Sequence, residues 1–192
     1  ALMLSNEPLL DNRLCDMIKY AKSKSQRLFL DITTNGRLLT VEFVDMLFRL
    51  GLDNININDY RGDRDRYPQR LSPNLEPIYA AYGNNPKVCF KRRRLDESLP
   101  NYAGNIPQSF EKEDFGFCNY PFRKLTIAYN GDVLLCCDDF MYDTNFGNIM
   151  ANNILNCWYS PQLDYMRFSL LENKRVGLCE RCNDSQDYNT FA

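Results

Sequence analysis

Eight cysteines and no histidine make thiols the chemically notable side chains of this 192-residue chain. The stretch Gly131–Asp139 reads GDVLLCCDD, two adjacent cysteines and two acids after a hairpin turn, and CERC follows at Cys179–Cys182. Without imidazole there is no histidine general base and no mixed Cys/His zinc site. A Cys-x-x-Cys pair places two thiolates about one turn apart, the usual half-site for tetrahedral zinc or an iron–sulfur centre.

Alternating residues on either side of Asn130-Gly131 predict a β-hairpin with a two-residue turn, which pairs Leu125 with Cys136. Cys136 and Cys137 are consecutive, so strand alternation lets one of them face a shared site. Cys118 stands just before the first of these strands and can fold back towards the hairpin base. The expected ligand set is Cys118, Cys136, Cys179 and Cys182, with Cys137 as the alternative to Cys136. One close pair rather than two favours a four-iron cluster over zinc, and zinc stays open. A disulfide framework is disfavoured, because the chain is long enough for a core and the cysteines crowd towards its C-terminal part. Cys15, Cys89 and Cys157 read as small buried hydrophobes. Asp138 and Asp139 are candidates for an acid or proton relay, with loop capping as the plainer role.

These thiols need elements to hold them. Up to about residue 90 short apolar strands alternate with helices. Strands are expected at ALML (1–4), RLFLDIT (27–33), DNININ (53–58) and KVCF (87–90). Helices are expected over 11–24 with Asp11 as N-cap, over 40–51 capped by Thr40 and stopped by Gly51, and over 72–83. Strand and helix in repetition imply parallel βαβ units. Ile55 and Ile57 alternate with Asn54, Asn56 and Asn58, whereas a sheet covered on both faces should read as continuously apolar. A full or partial (β/α) barrel with a polar lumen accounts for this, and an exposed sheet face is the alternative.

The division expected is a barrel core over 1–95, a linker over 96–117, rich in Pro, Gly, Asn and charge, and a cysteine-rich domain over 118–192. KRRR (91–94) reads as a solvated strand end balanced by Asp96 and Glu97. Net charge is −2, so composition points to neither a nucleic-acid nor a membrane partner, and free thiols suggest a reducing cytoplasm.

Cys118, twelve residues, Gly131, four residues, Cys136, then FGNI (146–149), Trp158, Arg167 and CERC resemble, in that order, the SPASM domain of radical S-adenosylmethionine enzymes. The resemblance implies an auxiliary [4Fe–4S] cluster on the four cysteines named above. The first half is similar to the later part of a radical S-adenosylmethionine barrel, with SNEP (5–8) in place of a Gly-Gly-Glu-Pro-like motif and TTNG (33–36) at the next strand end. By that resemblance Glu7 would accept from the amino group of S-adenosylmethionine, with Asn35 and Asn56 on the lumen side. It also implies a peptide or small-molecule substrate and an electron donor. The family's Cys-x-x-x-Cys-x-x-Cys motif is absent, so the chain as written is expected to be inactive and to continue upstream of Ala1 in the full enzyme. The non-enzymatic alternative is a standalone iron–sulfur or zinc module for electron transfer or peptide binding.

Overall fold

The computed structural model describes residues 1–2, 4–60, 71–93, 101–106 and 117–183. The chain divides into two compact units, Ala1–Glu97 and Ser98–Ala192.

The first unit is α/β. Strands β1 (Asp31–Thr34), β2 (Asn54–Asp59) and β3 (Val88–Arg92) form a parallel sheet in the order β1-β2-β3. Helices α1 (Leu14–Lys24), α2 (Val41–Arg49) and α3 (Glu76–Tyr82) join or precede them. The register puts Ile32 beside Ile55 and Ile55 beside Val88. Ile32, Ile55 and Ile57 are fully buried in one core with Ile18 of α1, Val44 and Leu47 of α2 and Ile78 of α3. The alternation seen in the sequence therefore separates a helix-packed face from a half-buried polar face carrying Asp31, Thr33, Asn54 and Asn56. Three strands in a row are an α/β sheet, and no barrel closes among the described residues.

Local chemistry moves several boundaries. Thr40 caps α2 as expected, its hydroxyl accepting from Phe43 N at 3.1 Å. Asp11 does not cap α1. Its carboxylate instead accepts from both the backbone N and the guanidinium of Arg13, which is the residue preceding the helix. Among the described residues of ALML, which leave out Met3, no strand forms as an element, although Leu2 N donates to the Asp31 carbonyl at 3.0 Å. The chain turns there because Leu4 N bonds the Asn6 side chain and a 3-10 turn begins at Pro8. Cys89, expected to be buried, is exposed, since its register partner Asn56 lies on the polar face.

The second unit contains α4 (Tyr120–Arg123), the antiparallel pair β4 (Thr126–Ile127) and β5 (Val133–Leu134), α5 (Ile154–Trp158), α6 (Pro161–Leu171) and a 3-10 turn over Gly177–Arg181. Asn101–Ile106, inside the stretch expected to be a linker, forms a turn whose Ala103 packs in this unit's core. Arg94, Asp96, Glu97, most of the expected linker and everything after 183 lie outside the described residues. Among the described residues no helix is long and apolar enough to cross a membrane.

Candidate metal centre

The hairpin that delivers the central cysteines has a three-residue turn. Ala128 N bonds the Asp132 carbonyl, Gly131 N bonds the Ala128 carbonyl, and Gly131 takes φ +88. A three-residue turn ending in a left-handed glycine is the usual alternative to the two-residue form. It shifts the ladder by one, so Thr126 pairs with Leu134 and Ile127 with Val133, and the predicted pairing of Leu125 with Cys136 is not made. Beside β5, Phe146 and Gly147 exchange backbone bonds with Val133 at 2.8 Å, which anchors the FGNI segment to the hairpin.

β5 ends at Leu134, and the chain then turns through Cys136 to Asp139. This corrects the strand-alternation expectation: outside a strand both Cys136 and Cys137 line one cavity, which Cys118, Cys179 and Cys182 also line. All four expected ligands thus come together, with a fifth thiol beside them. Among the described residues, no three Cys, Asp or Glu side chains stand close enough together to hold a metal ion as they are placed in the metal-free chain. The remaining wall comes from Ala103, Tyr120, Pro121, Leu135 and Leu178, with Asp138 contributing an acid and Arg175 a cation.

The thiols interact electrostatically. Burial, reinforced by the neighbouring Cys182 and Cys118, pushes the Cys179 thiol up to about 12, against the pull of Arg175. Burial also pushes the Cys136 thiol upward, with Asp138, Cys137 and Cys179 adding repulsion and a hydrogen bond from the Asp138 backbone opposing them. Cys136 and Cys179 therefore hold their protons at neutral pH in the metal-free chain, and ligation by either releases one. The donor set fits an iron–sulfur cluster: soft sulfur ligands in a largely apolar wall.

The two acids separate in role. Asp139 is fully buried, and its carboxylate accepts from the backbone N of Asp143 and Thr144 and from the Thr144 hydroxyl, so it caps a loop. Asp138 lines the cavity, 3.7 Å from the Cys137 sulfur. Arg167 and Trp158 build the support. The Arg167 guanidinium stacks 4.1 Å from the Trp158 ring and donates to the carbonyls of Pro121 and Trp158, fixing α6 to a wall of the cavity.

In the first unit Glu7 and Asn35 come together. Glu7 Oε1 accepts from Leu9 N at 3.2 Å and from the Thr34 hydroxyl at 2.5 Å, and Oε2 accepts from Asn35 N at 2.8 Å. Each carboxylate oxygen accepts about two bonds, so one position remains at Oε2. Thr34 was missed as a site residue, since TTNG reads as an ordinary turn. Asn35 also lines a polar cleft with Arg37, Asp59, Tyr60, Ser72 and Asn74. Asn56 stays on the polar sheet face beside Thr33 and Cys89 and does not line that cleft.

Four similarities bear on this geometry. The chain is 28% identical over 163 residues to the S-adenosyl-L-methionine-dependent 2-deoxy-scyllo-inosamine dehydrogenase of Niallia circulans, covering 80% of this chain and 60% of that protein. It superposes on BtrN in complex with AdoMet and 2-DOIA with a TM-score of 0.79 at 25% identity, over 93% of this chain and 69% of that one. An open conformation of BtrN gives a TM-score of 0.68 at 21% identity, over 94% and 68%. The chain therefore spans about three-fifths of the curated relative it matches. Residues 118–183 match the SPASM family, described as an iron–sulfur cluster-binding domain. The thiols gathered on one cavity thus lie in residues 118–183, which match the SPASM iron–sulfur cluster-binding domain, within a chain similar to an S-adenosyl-L-methionine-dependent dehydrogenase.

Proposed function

We propose that this chain is the part of a radical S-adenosylmethionine enzyme that carries an auxiliary [4Fe–4S] cluster on Cys118, Cys136, Cys179 and Cys182. The gathering of those four thiols on one largely apolar cavity carries the reading. A bound cluster supplies one-electron chemistry or a place for substrate to attach. The residues themselves provide soft ligands, an apolar wall that excludes water, and one cation, Arg175, to offset the negative charge of four thiolates.

The parallel sheet is proposed to belong to a partial (β/α) barrel, with its polar face towards the lumen. Glu7 is proposed to take the amino group of S-adenosylmethionine at the remaining position on Oε2, since a carboxylate already oriented by Thr34 and Asn35 loses little freedom on pairing with an ammonium. Asn35 and Asn56 are proposed to give further polar contacts. The similarity to a 2-deoxy-scyllo-inosamine dehydrogenase favours a small hydroxyl-bearing substrate over a peptide, oxidised at a carbon bearing a hydroxyl group. An electron donor and a cytoplasmic location complete the proposal.

Binding tests it. The coding region is extended upstream of Ala1, the product reconstituted anaerobically, and S-adenosylmethionine titrated in. Glu7→Gln is expected to weaken binding by roughly tenfold, the value of one charge-assisted hydrogen bond. Unchanged affinity would remove Glu7 from the site. An upstream region without an in-frame Cys-x-x-x-Cys-x-x-Cys, together with no binding, would leave a standalone iron–sulfur module.

A further inference from the structure

The family match begins at residue 118, yet the turn Asn101–Ile106 is fastened to two of the segments that carry the cysteines. Asn101 makes most of the connections. Its side-chain oxygen accepts from Asn183 N at 3.1 Å and from Gly104 N at 3.0 Å, and its side-chain nitrogen donates to the Arg181 carbonyl at 2.6 Å. Its own backbone N donates to the Asn183 side chain at 2.6 Å. These bonds grip the chain on either side of Cys182. At the other end of the turn, Asn105 donates to the Asp138 carbonyl at 3.3 Å, and the Tyr102 ring meets Phe140 edge-on at 5.9 Å. Those contacts grip the segment that follows Cys136 and Cys137.

The middle of the turn lies on the cavity. Ala103 is 1% exposed, belongs to the second unit's core and lines the same cavity as the five thiols. Tyr102 and Ala103 take φ +48 and +58, a left-handed conformation that side chains seldom adopt. Gly104 comes so close to Arg181 that a β-carbon there would stand 2.4 Å from the Arg181 β-carbon. Such a backbone is held by its surroundings rather than by local preference.

We infer that Asn101–Ile106 is a strap that fixes the spacing between the Cys179–Cys182 knuckle and the Cys136–Asp138 turn and closes the cavity against water, with Asn101 and Asn105 as positioning residues for the iron–sulfur centre. The inference rests on the cluster assignment above and adds to it residues outside the family motif. It also explains why this stretch lacks periodicity: the turn is shaped by side-chain bonds to chain about eighty positions away.

The test uses the full chain, reconstituted with iron and sulfide, and follows iron release to a ferrous chelator together with the electron paramagnetic resonance of the reduced protein. Asn101→Ala removes three side-chain bonds and is expected to release iron at least about tenfold faster than the unsubstituted chain. Asn105→Ala removes one and is expected to release it a few-fold faster. Asn101→Asp keeps the acceptor oxygen and should recover part of the loss. Before release begins, the resonance of Asn101→Ala should already differ from that of the unsubstituted chain at equal iron content. Should Asn101→Ala fail to fold, Asn105→Ala decides alone. Wild-type release rates and spectra in both alanine variants would overturn the strap, and an unsubstituted chain that takes up no iron would overturn the cluster assignment instead.

Discussion

Replacing Thr34 by Val keeps the shape of a side chain that is 2% exposed and removes its hydroxyl. Two bonds are lost together. The hydroxyl donates to Glu7 Oε1 at 2.5 Å and accepts from Gly36 N at 3.0 Å. A hydrogen bond to a carboxylate contributes about 1.5–3 kcal/mol, and a buried N–H left without a partner costs about 1–3 kcal/mol. Because Glu7 keeps its bonds from Leu9 N and Asn35 N, part of the loss is absorbed, and the expected net is about 2–4 kcal/mol against local opening. Hydrogen–deuterium exchange over residues 33–37 reads this directly: the amides of Asn35 and Gly36 should exchange roughly 30-fold to several hundred-fold faster. Thr34→Ser, which keeps the hydroxyl, should stay near the unsubstituted rate. Unchanged exchange in Thr34→Val would refute the claim that this hydroxyl organises the Glu7 carboxylate.

Arg167→Lys keeps the charge, yet an ammonium cannot bond the Pro121 carbonyl, the Trp158 carbonyl and Asp164 while stacking on Trp158. The iron-free chain should lose about 2 kcal/mol, read as a fall of roughly 8–16 °C in the melting of a unit this size. Acid should weaken the first unit through Asp53. Burial alone would raise its carboxyl, but the bonds from Lys22 Nζ at 2.6 Å and Leu30 N at 2.8 Å outweigh it and hold the group below the usual carboxylate range. A depressed carboxyl contributes stability that is present above its unfolded value, about 3.9, and is lost as pH falls through the folded one. Thermal melts between pH 5 and pH 2 should show that loss, and Asp53→Asn should flatten it.

The first unit was largely legible because its signals are local and repeated. Ile55 and Ile57 mark a strand face, and Thr40 with the apolar run behind it marks a capped helix. What was not legible depends on single bonds or distant partners. Arg13 draws Asp11 away from its capping role through a two-residue contact that competes with the helix end. A third residue in the Tyr129–Gly131 turn moves the hairpin register by one, and turn chemistry alone does not separate the two forms. Strand alternation let only one of Cys136 and Cys137 face the cavity on the assumption that β5 continues, and β5 stops at Leu134. The Asn101–Ile106 turn carries no pattern because its partners are at 138, 181 and 183. The thiols were singled out by type, spacing and order, whereas the cavity that gathers the four expected ones with Cys137 does not follow from any one segment.

The most direct test of the account is metal analysis after anaerobic reconstitution, with each cysteine near the cavity replaced by Ala in turn. The account predicts a brown protein with about four irons and four sulfides per chain. It predicts that Cys118→Ala, Cys136→Ala, Cys179→Ala and Cys182→Ala each lose that centre or hold it incompletely, while Cys137→Ala keeps it. A colourless chain holding one zinc, or full iron loading in Cys182→Ala, would contradict it.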